Sequence, residues 1–415
     1  MAPPSLPSHV DMDVVSKLLQ DVNEHVQALG SGDLKAREAA VEACRSLAAT
    51  LETPSEAVVR MTWVEPSHLA ALRMAVDLRL FDHLAADQGC PKTSDQIAAA
   101  CSGEPWLVDR MMKHLAAMNT LRQVDVNSYV PNPFAQAMTK SIFRESIVLM
   151  HDICIPINLK TAEFFAENGY TSPTNALDTP TQHTFNAKGK THILDIFAQQ
   201  GQTHGLASMM ATWMLDRPHW SDDDLGFYPV KERLIQGVTG DEESVFLVDL
   251  GGSVGHDLEK FLVRHPFDTF PGHLVLQDRA EVIESIPENS LRAGIRAIAH
   301  DFFTPQPVQG ARTYFLHSII HDYPDDRAQL ILKNIARAMK KGHSKLIIWD
   351  FVLPDKALAS TLTALDWEMM SFYAASERSE GQWKTLLEDP EIGLKVNGIW
   401  SYSQFDQSVI EAELA

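Results

Sequence analysis

A glycine turn between an apolar strand and a helix is the first place in this sequence where residue types and spacing suit chemistry. The apolar run 245–250, with its β-branched and aromatic side chains, predicts a central parallel strand. Asp249 lies near its carboxyl end, where open α/β sheets place their ligands. Gly251, Gly252 and Gly255 follow and let the backbone approach a bound molecule closely. The turn lacks the G-x-G start of a pyrophosphate-binding loop, so it suits a ligand without phosphates; a purely structural turn is the alternative.

Two further acids follow the next apolar segments. Residues 274–277 predict a second strand, and Asp278 at its end stands where a carboxylate can accept hydrogen bonds from two ribose hydroxyls. Asp301 precedes Phe302, so it offers a carboxylate beside an aromatic face. An acid, glycines, a second acid and an acid beside an aromatic ring is the order expected for S-adenosylmethionine on a doubly wound sheet.

Together these segments resemble the motifs of class I methyltransferases, and the carboxyl-terminal half is similar to the small-molecule O-methyltransferases of plants and fungi, of the caffeic-acid and polyketide-phenol types. The resemblance implies an α/β protein with a Rossmann-like doubly wound sheet and an antiparallel C-terminal hairpin, preceded by a helical, winged-helix-like dimerisation domain. Residues 394–400 and 408–412 are also predicted to be the two strands of that hairpin, and the alternation within 394–400 supports an outer strand. The cofactor-binding residues implied are Asp249, Gly251, Gly252, Gly255, Asp278, Asp301, Phe302 and His317.

The segment YFLHSIIHDYPD, residues 314–325, resembles the family's reaction centre. Its first residues predict a fourth strand and its last residues begin a helix, so the His-Asp-Tyr-Pro unit lies at a strand's carboxyl end. The family's general base is the His of a His-Asp-Trp motif at this place; His321 matches it, with Tyr323 replacing Trp. His317, where plant relatives usually carry Lys, is also four residues before His321, a spacing that can hold zinc on a helix. Because a strand is predicted there and no third ligand is near in sequence, we expect no metal.

Two acids complete this constellation in the resembled family. Asp350 ends the predicted fifth strand 346–349, where the family usually has Glu, and Glu377 follows the predicted helix 363–372. The resemblance implies that one of them fixes the tautomer of His321 and stabilises its imidazolium form. A neutral imidazole, with an ordinary pKa of about 6.5, can accept the proton of a hydroxyl at pH 7 while the oxygen attacks a sulfonium methyl group.

Composition narrows the class of protein. The chain has 415 residues, 45% of them hydrophobic, which is enough for two domains with an ordinary core. Its formal charge of −20 disfavours a general nucleic-acid or anionic-membrane binder. The cysteines Cys44, Cys90, Cys101 and Cys154 form no C-x-x-C pair, so free thiols in a reducing compartment are expected. With no signal-like amino terminus and no run of about 18 apolar residues, we expect a cytoplasmic protein without a membrane partner.

Residues 1–140 are predicted to form the N-terminal helical and winged-helix-like domain. Its predicted elements are two helices separated at Gly30 and Gly32, one amphipathic helix with a stripe from Leu69 to Leu84, a helix capped at Thr93, a helix opening at Pro105 and a hairpin around Val126. Equal numbers of acidic and basic residues lie between 66 and 140, too little positive charge to neutralise phosphates. The resemblance therefore implies a homodimer formed through this domain, with no nucleic-acid partner.

Residues 141–225 are rich in Met, Phe and Trp and are predicted to be bridging helices. Such residues usually form core, but 185–213 resemble the helices that roof the acceptor pocket in the family. The candidate substrate-facing residues are His151, Met210, Met369 and Phe372. Residues 226–415 are the predicted S-adenosylmethionine-binding domain.

These observations predict a dimeric, metal-independent O-methyltransferase acting on a phenol or enol hydroxyl of an aromatic or polyketide-derived small molecule, as in fungal secondary metabolism. One alternative is an enzyme that binds the cofactor but uses its charge and pocket for a dehydration or pericyclic rearrangement, since some fungal relatives have lost methyl transfer. His317, Asp350 and the adjacent His151 and Asp152 keep that alternative open, whereas His321 favours methyl transfer. A winged-helix regulatory protein is a third hypothesis, which a salt-dependent affinity for DNA would support.

Overall fold

The computed structural model describes residues 10–33, 36–202, 205–206, 208–209, 228–356, 359–401 and 406–415. The chain divides into two compact units, and each unit is made of two segments. The first unit comprises Met1–Leu159 and Leu194–Leu215, and the second comprises Lys160–Ile193 and Asp216–Ala415. Residues distant in sequence therefore meet within each unit.

The first unit is built from helices and a small hairpin. Its helices are Met12–Gly30, Ala36–Leu51, Pro54–Val59, Glu65–Asp77, Leu80–Gly89, Ser94–Cys101, Pro105–Ala117, Pro133–Ala137, Ser141–Leu149 and Ile155–Glu167, with π-helical turns at Arg60–Val64 and Met150–Cys154. The last helix continues into the second unit. Strands β1 (Arg122–Asp125) and β2 (Ser128–Val130) pair antiparallel and confirm the predicted hairpin.

The predicted helix starts at Thr93 and Pro105 are confirmed. The Thr93 hydroxyl accepts a hydrogen bond from the Gln96 backbone N–H, and the Gln96 side chain accepts one from the Thr93 N–H. Pro105 stands in the first helical turn, where its missing N–H removes no helical hydrogen bond. Ile97 and Leu115, on the apolar faces of these helices, are buried in one core.

The apolar stripe from Leu69 to Leu84 was predicted to lie on one helix, and this prediction is wrong. The chain forms two helices, Glu65–Asp77 and Leu80–Gly89, because Arg79 adopts a left-handed backbone conformation with φ of 52°. The apolar faces of the two helices still pack into the same core. Because the apolar residues keep a helical spacing on both sides of Arg79, the sequence pattern gives no sign of this break.

The second unit contains a large mixed sheet. Its strands are β3 (Val245–Leu250), β4 (His273–Asp278), β5 (Ile295–Ala299), β6 (Thr313–His317), β7 (Lys345–Asp350), β8 (Val352–Leu353), β9 (Arg378–Ser379), β10 (Leu394–Ser401) and β11 (Ser408–Leu414). Among the described residues, seven of these form one sheet in the order β10-β11-β7-β6-β3-β4-β5. The short strands β8 and β9 pair parallel with each other.

Strand β3 lies inside this sheet, parallel to β4 on one side and β6 on the other. The strand order reverses between these neighbours, which opens a crevice at the carboxyl end of β3 where doubly wound sheets bind ligands. Strands β10 and β11 form an antiparallel hairpin, and β11 pairs antiparallel with β7. The predicted central strand and C-terminal hairpin are both confirmed.

Helices cover the sheet and connect its strands. Those described in the second unit are Pro180–Thr184, His256–Arg264, Ala280–Ser285, Asp325–Ala338, Ser360–Tyr373 and Glu380–Leu387, with a π-helical turn at Lys231–Ile235 and 3₁₀ turns at Phe267–Thr269 and Ile320–Asp322. The helix Ile193–Gln199 belongs to the first unit from Leu194 onward. Apolar residues on both faces of the sheet, such as Val248 and Leu247, belong to two buried clusters. The parallel strands β3, β4, β6 and β7 are consequently almost wholly buried, whereas the edge strand β5 is partly exposed.

The four cysteines all fall within the described residues, and each is a free thiol, as predicted. None of the helices described is both long enough and apolar enough to cross a lipid bilayer.

Candidate active site

The glycine turn after β3 packs so tightly that side chains are excluded from it. Gly251 and Gly255 have positive φ angles of 75° and 87°, which residues with a Cβ rarely adopt. A Cβ on Gly252 would lie 2.3 Å from Oδ2 of Asp249. The backbone N–H groups of Gly251 and Gly252 donate to the Gln277 carbonyl at the end of β4, at 2.7 and 3.2 Å. The turn thus packs directly against Asp249 near the carboxyl end of β3.

Asp249 is a buried acid that forms no salt bridge with the described residues. It is 1% exposed, and among the described residues its Oδ2 atom has no hydrogen-bond partner. Burial raises its pKa well above the ordinary value, and the nearby carboxylates of Asp257 and Asp278 raise it further, while His317 opposes them. A cationic ligand in the crevice would remove this penalty. The orphaned oxygen and the side-chain-free turn both fit the cofactor expected from the sequence.

The next two predicted cofactor acids lie at the same edge of the sheet. Oδ2 of Asp278 accepts the Ser253 N–H at 2.8 Å, so β4 is tied to the glycine turn. Oδ1 of Asp301, after β5, accepts the Phe303 N–H at 3.0 Å. The Phe302 ring meets Tyr323 edge to face, with ring centres 5.8 Å apart. Carboxylates and aromatic faces therefore stand side by side here.

His317 ends β6 and has protein partners on both ring nitrogens. Nδ1 lies 2.7 Å from Oδ2 of Asp257, in the first turn of the helix His256–Arg264 that follows β3, and Nε2 lies 2.9 Å from Oε1 of Gln407. The ring stacks on Trp349 with 4.5 Å between centroids. Burial lowers the pKa of His317, but Asp257 and Gln407 outweigh that effect and raise it. His317 therefore links the helix His256–Arg264 to the segment before β11 through both of its ring nitrogens.

His321 lies in the 3₁₀ turn Ile320–Asp322 after β6 and is 7% exposed. Its Nδ1 atom is 2.7 Å from Oε1 of Glu377, while Oδ1 of Asp350 is 3.7 Å away. The His321 backbone N–H donates to Oδ2 of Asp350 at 3.3 Å. The structure therefore brings the three predicted catalytic residues into one buried cluster.

The charges in this cluster are unbalanced, because one imidazole faces several carboxylates. The Asp350 and Glu377 side chains are fully buried, and among the described residues one oxygen of each has no hydrogen-bond partner. Burial lowers the pKa of His321, but Asp350, Glu377 and Asp322 outweigh it and raise this pKa well above its ordinary range. Burial also raises the pKa of Asp350, which His321 offsets only in part.

Asp322 faces the opposite nitrogen of the imidazole. Its Oδ1 atom is 3.6 Å from Nε2 of His321, and 32% of the Asp322 side chain remains exposed. Burial raises the pKa of Asp322 to about 6, with His321 opposing that shift. Nδ1 of His321 is thus paired with Glu377, whereas among the described residues Nε2 has no carboxylate within hydrogen-bond distance and can exchange a proton.

The candidate substrate residues are distributed over the two units. Met369 and Phe372 lie on the helix Ser360–Tyr373 of the second unit and are 7% and 6% exposed. His151 belongs to the first unit, where its Nδ1 is 2.9 Å from Oδ1 of Asp152. Asp152 in turn pairs with Arg73. Met210 lies outside the described residues.

Sequence reasoning missed several residues that position this site. Asp257 and Gln407 bind His317, and Oδ1 of Asp366 accepts the backbone N–H of Glu377 at 2.8 Å. An acid in the first turn of the helix after the glycines was the available signal for Asp257. Gln407 and Asp366 had none, because their partners are distant in sequence.

A doubly wound sheet with acids and glycines at its switch point, and a buried histidine–carboxylate cluster after the neighbouring strand, defines the class I methyltransferase fold. The O-methyltransferase domain profile matches residues 234–391, and the O-methyltransferase dimerisation domain profile matches residues 68–141. The O-methyltransferase mpaG of Penicillium roqueforti is 34% identical over 405 residues, covering 97% of this chain and 99% of that protein. The chain belongs to the O-methyltransferase family.

Solved structures match over almost the whole chain. A structure described as a pericyclic reaction enzyme is 27% identical with a TM-score of 0.83, covering 98% of this chain and all of the other. The complex of LepI with S-adenosylmethionine is 26% identical with a TM-score of 0.84, covering 97% of this chain and all of LepI. Proteins of similar fold therefore include one that is described as a pericyclic reaction enzyme and not as a methyltransferase.

Proposed function

We propose that this protein is an S-adenosylmethionine-dependent O-methyltransferase that methylates a phenol or enol hydroxyl of an aromatic or polyketide-derived metabolite. The observation that carries the proposal is the orientation of His321. Glu377 holds its Nδ1 atom at 2.7 Å, and this leaves Nε2 to receive a proton. That arrangement is the one a general base needs, and it lies beside a crevice suited to a cationic ligand.

In this proposal Nδ1–H of His321 donates to Glu377, which fixes the neutral tautomer with its lone pair on Nε2. Nε2 accepts the proton of the acceptor hydroxyl as the O–H bond breaks and the oxygen attacks. When bound, S-adenosylmethionine supplies the electrophilic methyl group. The imidazolium that forms is stabilised by Glu377 and Asp350, both fully buried beside it. Holding the hydroxyl and the base in fixed contact supplies much of the rate.

The cofactor residues act by charge and shape. Asp249 balances the positive charge of the ligand, since its buried Oδ2 atom has no hydrogen-bond partner among the described residues. Gly251, Gly252 and Gly255 leave room for the ligand, and Asp278 offers its remaining acceptor capacity to ribose hydroxyls. Asp301, Phe302 and His317 complete the lining of this edge in the proposal.

We propose a homodimer formed through the first unit, supported by the dimerisation domain match over residues 68–141. Exposed large apolar side chains in this unit, among them Trp63 and Trp106 at 71% and 61% exposure, supply surface that a second copy could cover. Sedimentation of the purified chain tests this part, and a monomer at micromolar concentration would contradict it.

The direct test of methyl transfer is mass spectrometry of cofactor and product pools. The protein is incubated with S-adenosylmethionine and a panel of phenolic polyketides, with His321→Ala as the matched inactive variant. A product heavier by one methylene, formed together with S-adenosylhomocysteine, supports the proposal. Bound but unconsumed cofactor across the panel would contradict it.

A second candidate function is a dehydration or pericyclic rearrangement that leaves the cofactor unchanged. It is favoured by the likeness to the structure described as a pericyclic reaction enzyme and by the LepI complex. Its signature is a dehydrated or isomeric product with no S-adenosylhomocysteine. The retained His321–Glu377 pair supports methyl transfer as the first candidate.

A further inference from the structure

Arg378 follows Glu377 directly and is buried to 2% exposure, although it carries a permanent charge. Its guanidinium binds the loop that carries His321. Nη1 donates to the Ile320 carbonyl at 3.2 Å, and Nη2 donates to the Tyr323 carbonyl at 2.9 Å. Two backbone carbonyls on either side of His321 are therefore held by one side chain.

The same guanidinium also holds the start of the following helix. Nε and Nη2 both donate to Oδ1 of Asp325, at 3.1 and 2.7 Å. Asp325 is 73% exposed, so this ion pair is partly screened by solvent. The bonds to the carbonyls of Ile320 and Tyr323 are the more buried part of the arrangement.

Trp383 connects Arg378 to the third member of the catalytic cluster. The guanidinium lies over the Trp383 ring, 5.3 Å from its centroid. The indole N–H of Trp383 donates to the Phe351 carbonyl at 2.9 Å, immediately after Asp350. In addition, Arg378 in β9 is in register with Val352 in β8. Arg378 thus binds the turn that carries His321 and directly follows Glu377. It also pairs with the strand that follows Asp350.

We propose that Arg378 is a positioning residue that fixes the separation of His321 and Glu377 by clamping the 3₁₀ turn of His321 onto the strand that begins beside Glu377. Its planar fork of donors reaches two carbonyls and one carboxylate at once, which a lysine ammonium cannot reproduce. The inference rests on the proposed function for its effect on turnover. The geometry it predicts for His321 is independent of the reaction.

The test uses full-length Arg378→Ala and Arg378→Lys, with Arg327→Met as the control. Arg327 lies in the first turn of the helix Asp325–Ala338, shortly after the turn of His321, but it is exposed and stacks on Phe303. We expect Arg378→Ala to lower kcat about 10- to 100-fold, because small displacements of a base are costly. Arg378→Lys should lose less, and added guanidinium should restore part of the activity of the alanine variant. The KM for S-adenosylmethionine should stay within about twofold of wild type.

A second measurement separates positioning from a general loss of structure. NMR titration of histidine-labelled protein, with the His321 signal assigned by its absence in His321→Ala, follows the imidazole in the free enzyme. In folded Arg378→Ala its pKa should fall towards the ordinary value, because Glu377 is no longer held against Nδ1. Arg327→Met should leave it unchanged.

Two results would overturn the inference: an unchanged His321 titration in folded Arg378→Ala, or a kcat loss no greater than that of Arg327→Met. The titration needs no substrate. If wild-type protein methylates nothing, the proposed function fails while the titration still decides the role of Arg378.

Discussion

Nδ1 of His321 and Oε1 of Glu377 lie 2.7 Å apart, although 56 positions separate the two residues in the sequence. The contact is buried, and it determines which imidazole nitrogen faces away from the carboxylate. Asp366 holds the Glu377 backbone, and Asp350 receives the His321 N–H, so neighbouring groups restrain both partners. The proposed role of His321 as a base depends on this pair.

Replacing His321 by alanine should lower methyl transfer by about 10² to 10⁴-fold, since proton abstraction by a positioned base contributes a factor of that size. Cofactor affinity should be nearly unchanged, as measured by calorimetry beside the turnover assay. His343→Ala, at the opposite edge of the sheet in the turn before β7, is the matched control and should be fully active. Turnover retained in His321→Ala would remove His321 from the role of base.

The acid limb of the kcat/KM profile should lie above pH 6.5. Only neutral imidazole accepts a proton, and the surrounding carboxylates raise the pKa of His321, so activity falls as the pH drops below that raised value. Asp350→Asn removes one of these negative charges, and the limb should therefore move to lower pH. Exposed Glu380→Gln serves as the control and should leave the limb in place. A limb that does not move in Asp350→Asn would contradict this electrostatic coupling.

Asp249→Asn should stabilise the free protein and weaken cofactor binding. At neutral pH the raised pKa of Asp249 means that its buried charge opposes folding, so a neutral amide should increase the melting temperature of the free enzyme. Loss of the carboxylate that balances the ligand's positive charge should raise the Kd for S-adenosylmethionine about 10- to 100-fold. Thermal unfolding with and without the cofactor measures both effects, and exposed Asp268→Asn is the control. Unchanged cofactor affinity would show that Asp249 does not bind the ligand.

Glu411 should stabilise the second unit at neutral pH but not in strong acid. This fully buried carboxylate pairs with Arg233 and Lys345 and accepts the Tyr228 hydroxyl at 2.7 Å. Burial raises its pKa, but these partners outweigh burial and lower it to about 2. The stabilisation is therefore complete above the ordinary pKa of about 4.3 and is lost as the pH falls towards 2.

Glu411→Gln should accordingly reduce the free energy of unfolding by about 3 kcal/mol at pH 7, with a smaller difference at pH 3. Urea unfolding followed by tryptophan fluorescence at both pH values measures the change. Glu413→Gln, in the same strand, is the control. An equal loss for Glu411→Gln at both pH values would assign the effect to packing and not to charge.

Much of the architecture could be predicted from the sequence, because it depends on local patterns. The apolar run of β3, the glycines after it and the capping box at Thr93 each carry their own signal within a few residues. The candidate catalytic residues His321, Asp350 and Glu377 were predicted by resemblance, and the structure confirms that they follow the predicted strands and helix. The sequence by itself thus determined the class of fold and the candidate site.

Only the tertiary structure decided how the side chains meet. The reversal of strand order beside β3, the left-handed break at Arg79 and the interleaved segments of the two units have no local signature. The choice of Glu377 as the Nδ1 partner of His321, with Asp350 at 3.7 Å, depends on how β7 and β9 are placed. Burial then sets the charge balance, because desolvation and nearby carboxylates act only after distant segments have packed together.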